Sequence, residues 1–177
     1  MKDVTATSFG LVIAFLLPGL TGLYALSYWV PEVNALLNQM WTAETSAGSF
    51  LLITLAALTI GLQVTLIRWL LFERWLCREQ TLSAREFQAL AKEAMLPAYE
   101  AAVDQHYRYH QFWGGMTVVL PVLFVGWAVR SWATETMFMQ ISSGVAFLVM
   151  EALSFAGAHG AFVAYIRRSK SILKGGD

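Results

Sequence analysis

Apolar residues in this chain fall into four long runs, covering about residues 8–28, 48–71, 113–129 and 137–166. An apolar run of about 20 residues crosses the hydrocarbon core of a bilayer as a helix. The pattern therefore predicts four transmembrane helices. The third run is short and contains Pro121, and the fourth is longer than a crossing needs, so it should tilt or project. A more polar segment, 72–112, separates the second run from the third. Within it, Ser83 and Glu86 in "SARE" have the spacing of a helix capping box. Phe87, Leu90, Ala91 and Ala94 then recur at helical spacing. Pro97 should end or kink that helix, and a second helix should start near Ala98 and run into the third span. Two such helices suit a juxtamembrane collar or a partner surface, not an independent catalytic domain. The run "YRYHQFW", 107–113, reads as an aromatic belt at the inner interface. On the opposite side, residues 29–49 suit a short interfacial helix anchored by Trp29 and Trp41, and "RSWATET" suits a tight connector.

Composition agrees with the pattern. The chain has 177 residues, of which 57% are hydrophobic and 14% charged, and its mean hydropathy is +0.54. An average soluble domain is about 25% charged. The fold class is thus an all-α integral membrane protein, a single membrane domain over 1–177. Lys and Arg accumulate in cytoplasmic loops. With the N-terminus inside, eleven of the twelve basic residues fall on the cytoplasmic side and Arg130 alone on the other. Both termini are therefore expected in the cytoplasm. The first run resembles a signal peptide in having "ALS" at 25–27, but Lys2 makes a weak basic start and the apolar stretch is long. It is read as a span. Zero net charge argues against general nucleic-acid binding. The single cysteine, Cys77, excludes an intrachain disulfide; it is read as structural, with lipidation as the alternative.

Glu151 is the outlier within the spans. No other Asp, Glu, Lys or Arg lies within a dozen residues of it. A carboxylate at mid-membrane costs roughly 2.5–3.5 kcal/mol on an insertion scale, so it should face protein or water. Pro18 and Pro121 fall near the same depth as candidate hinges, and Thr59 and Gln63 come within about two helical turns of it. Gln140, Ser154 and His159 complete a partly polar stretch of the fourth helix. Ala152, Ala156, Gly160 and Ala164 form a separate stripe at i, i+4 spacing, suited to close helix packing in lipid. Two roles stay open for Glu151. One is an interhelical hydrogen bond to Gln63 or Thr59. The other is a pore- or cavity-lining carboxyl.

The usual hydrolase and nucleotide-binding motifs are missing, so no enzyme activity, catalytic residue or cofactor is expected. His106 and His110 stand four apart, a metal-ligand spacing, but no third strong ligand accompanies them and no metal site is expected. No convincing internal repeat of the kind found in secondary transporters is visible. What remains is a small subunit that works by self-assembly, in which rings of Glu151, Gln140 and Ser154 would favour cations.

The stretches "FLLPGLTGLYALSYW", "QVTLIRWLLFERW" and "YEAAVDQHYRYHQFWGGM" resemble patterns in small bacterial four-span proteins. Some of those act as membrane effectors of antiphage defence, the Hailong-type partner being the first comparison. The resemblance implies a gated homo-oligomeric pore, for instance a tetramer, in the bacterial inner membrane. It also implies a cytoplasmic regulatory protein or a nucleotide ligand as partner. It assigns no residue a role. A non-conducting adaptor that binds a partner through 72–112 is the alternative, and a small oligomeric transporter is a second.

Overall fold

The computed structural model describes residues 10, 12–39, 47–76, 81–92 and 94–175. Among them every regular element is helical. A π-helical turn, Val12–Leu16, leads into α1, Leu17–Ser27. Helix α2 is Pro31–Gln39, and α3, Ala47–Arg68, continues as π-helix through Trp69–Leu76. Helix α4 is Ala84–Leu90. Helix α5, Leu96–Ala102, passes through a third π segment, Val103–Tyr107, into α6, Arg108–Ser131. Helix α7, Met137–Lys174, closes the chain.

Three continuous helices are long and apolar enough to cross a membrane: Ala47–Leu76, Leu96–Ser131 and Met137–Lys174. The apolar helix Ala14–Ser27 is shorter. At 1.5 Å per residue it covers about 21 Å, against a core of about 30 Å. The beginning of the first expected span, and also Trp41 and Cys77, lie outside the described residues.

Helix α6 is the centre of the bundle. It packs against α1 and α3 on one side and α7 on another, and α1 also packs on α3. Glycines set these crossings. A Cβ on Gly19 would run into the backbone of Ala57, and one on Gly61 into the backbone of Phe15. Helices meet so closely in lipid only where side chains are small, because packing rather than water exclusion drives the association. Gly114 and Gly115 receive Arg68 and Pro18 on the central helix, and Gly157 receives the Trp113 ring.

Below the bundle, α4, α5 and the third π segment pack on the C-terminal half of α7. Leu82, Leu90, Phe162, Tyr165 and Ile166 form their buried core. The expected capping box is present. Ser83 Oγ accepts from the Glu86 N–H, and Glu86 Oε2 accepts from the Ser83 N–H at 2.7 Å. The backbone N–H and the hydroxyl of Ser83 hold the Glu86 carboxyl below the usual carboxylate range. The box therefore contributes its stability above the ordinary carboxylate pKa and loses it as pH falls through the lowered one. Ser83→Ala should weaken α4 by about 1 kcal/mol. Faster amide exchange confined to Ala84–Leu90 would show it.

Pro97 departs from the sequence expectation. Helix α4 ends at Leu90, well before it, and Pro97 sits in the first turn of α5. Proline is tolerated there because that N–H has no intrahelical acceptor. The short helix expected between the first two apolar runs is α2, with Trp29 exposed beside it.

Candidate functional site

The largest fully buried side chain among the described residues is that of Arg68, whose residue is 1% exposed at the end of α3. Its Nη1 donates to Glu73 Oε1 at 2.9 Å and to His110 Nε2 at 2.6 Å. Residues five apart on an α-helix point in different directions. The π-helix that starts at Trp69 bonds i to i+5, which brings Glu73 back over Arg68. His110, fully buried on α6, has its Nδ1 2.8 Å from the carbonyl oxygen of Ala158 on α7. Since Nε2 accepts from Arg68, Nδ1 carries the proton, and the ring is the neutral tautomer. Its Nε2 is 3.8 Å from Glu73 Oε1, beyond hydrogen-bond reach. Tyr107, in the third π segment, donates its hydroxyl to Glu73 Oε1 at 3.0 Å. Two π segments thus meet through one hydrogen bond.

The cluster carries one positive and one negative charge and is neutral as a whole. That is the condition under which a buried ion pair persists, with each charge paired and further hydrogen-bonded. Phe72 and Phe162 close on His110 at centroid distances of 5.7 and 4.9 Å. The network ties the end of α3 and the start of α6 to the middle of α7. Beside it lies a cavity of about 200 Å³ lined by Glu73, Thr81, Leu82, Phe87, Tyr107, Phe162, Tyr165 and Ile166. Sequence reading treated His110 as part of an interfacial belt and counted Arg68 for topology alone. The structure instead buries both, and among the described residues no group of three metal-ligating side chains forms.

The residues singled out in the sequence are distributed differently. Glu151 lies on the border of the buried face of α7, and its Oε2 is buried without a hydrogen-bond partner among the described residues. Ser154, one turn on, is fully buried and its Oγ is likewise unpartnered. No bond joins Glu151 to Gln63 or Thr59. Thr59 donates to the Leu55 carbonyl of its own helix at 2.9 Å, and Gln63 is exposed on α3 with no partner among the described residues. Gln140 is not part of the polar stretch. Its Nε2 donates to the carbonyls of Trp132 and Glu135 and fixes the connector between α6 and α7. His159 is exposed.

Pro18 is buried against Gly115, immediately after the first π-helical turn. A proline ring clashes with the carbonyl four residues back, and the wider turn before it is the local relief. Pro121 lies inside α6, which continues through it to Ser131. In the small-residue stripe, Ala152, Ala156 and Gly160 are exposed and Ala164 is half-buried. Nothing lies within 4 Å of a Cβ placed on Gly160. Among the described residues, the stripe packs against no other helix at that point.

No protein-family description, curated protein or solved structure matches this chain.

Proposed function

We propose that the chain is a four-span subunit of a homo-oligomeric membrane pore, with both termini on the cytoplasmic side of a bacterial plasma membrane. One observation carries the reading. Gln63 presents an unpaired amide on the outer face of α3, among the exposed Leu62, Leu66 and Ile67. Lipid offers an amide no hydrogen bond, so a neighbouring protein surface or a water path must. The contacts of Arg68 with His110 and of Phe72 with Phe155 set the register of α3 against α7. They put Gln63 within about two turns of the depth of Glu151. Helix α7 also offers its stripe outward. A ring in which α3 of one copy meets α7 of the next would cover both faces by a heterologous, closing contact. Glu151 and Gln63 would then line or flank a cation path, and Ser154 would stay within its own protomer.

The resemblance to defence-associated four-span proteins extends this to a gated effector, with the collar receiving the signal from a cytoplasmic protein or nucleotide. Two variants test the reading. Glu151→Gln should reduce cation flux in proteoliposomes by at least tenfold and leave assembly intact. Gly160→Leu should leave the protomer folded and shift it toward the monomer in detergent, because it fills a surface that no described residue of its own chain touches. Wild-type protein that assembles and passes no ions would favour the adaptor reading. Unchanged flux in Glu151→Gln would remove Glu151 from the path.

A further inference from the structure

The cavity at the inner end of the bundle has a chemistry that the pore reading does not use. Four of its walls are aromatic: Phe87, Tyr107, Phe162 and Tyr165. A fifth is the carboxylate of Glu73, whose side chain is 16% exposed. None of the described lining residues is a lysine or an arginine. Aromatic faces beside a carboxylate attract a cation, because the ring quadrupole presents its negative face and the carboxylate oxygens, though their charge is balanced by Arg68, still accept hydrogen bonds. Tyr107 already takes part in such a contact, with the Arg68 guanidinium carbon 5.9 Å from its ring centroid.

Glu73 keeps capacity for another donor. Its Oε1 accepts from Arg68 and from Tyr107, while an ionised carboxylate has about four acceptor sites. The volume of about 200 Å³ leaves room for a head group of a few heavy atoms. The side chains come from five places in the chain, the π continuation of α3, the linker before α4, α4 itself, the third π segment and α7. The cavity is therefore a product of the tertiary fold.

We propose that this cavity binds an organic ammonium group. It does so at the inner interface, where Tyr side chains favour headgroup depth. The ammonium has two chemical sources, the head group of an aminophospholipid or a free small amine. The proposal is independent of conduction and stands or falls without it.

The test uses the full chain. Protein in detergent free of aminolipid is titrated with ethanolamine by calorimetry. In parallel, protein from nanodiscs of equal phosphatidylethanolamine and phosphatidylglycerol is examined by native mass spectrometry for retained lipid. Saturable ethanolamine binding identifies a free-amine site. Retention of phosphatidylethanolamine over phosphatidylglycerol without free-amine binding identifies a lipid site. Either signal should fall at least tenfold in Phe87→Ala, a change on the partly exposed α4 that leaves the Arg68 network alone, and in Glu73→Gln. No ethanolamine binding together with equal retention of the two lipids would overturn the proposal. A signal unchanged in a folded Phe87→Ala protein would overturn it as well.

Discussion

Glu73→Ala is expected to destabilise the protein by about 3–5 kcal/mol, the cost of leaving a buried charge without its partner. The substitution removes the carboxylate that faces the fully buried Arg68 and the acceptor of the Tyr107 hydroxyl. Arg68 would retain His110 Nε2, a neutral acceptor. The double change Arg68→Met, Glu73→Leu should recover most of the loss, because apolar replacement of a whole buried pair is often neutral or stabilising. Thermal unfolding of the wild type and the two variants in one detergent measures this. Equal losses in single and double variants would mean that the pair is not coupled as its 2.9 Å contact implies.

The second large effect is at the crossing of α1 and α3. Gly61→Val places side-chain atoms where the backbone of Phe15 passes. Overpacking against movable side chains costs about 1–3 kcal/mol. Here the obstacle is main chain, so a loss of about 3 kcal/mol or more is expected, with α1 displaced. Gly144→Ala, whose Cβ meets no described atom within 4 Å, is the control and should not lower stability. A Gly61→Val protein as stable as wild type would show that α1 does not cross α3 at this point.

Hydrophobic runs and local signals were legible in the sequence. Run length alone marked the three helices that are long and apolar enough to cross a membrane, because apolar length is what a bilayer selects. The capping box at Ser83 was legible because it is a contact within four residues. The buried network was not. Arg68 and Glu73 meet only because the helix changes to π geometry between them, and a reading at 3.6 residues per turn separates them. His110 looked interfacial because its neighbours in "YRYHQFW" are aromatic, while its partner carbonyl on Ala158 lies 48 residues on. The glycine contacts were hidden for the same reason. Gly160 stands in a regular stripe and touches nothing, whereas Gly19 and Gly61 carry the closest approach without any shared periodicity.

The central claim is that copies of this chain assemble around a path beside Glu151. A cryo-EM map of the purified protein in nanodiscs tests it most directly. A closed symmetric ring is expected, with α3 of each subunit against α7 of the next and Glu151 turned toward a central opening. A monomer, or an assembly in which Glu151 and Gln63 both face lipid, would contradict it.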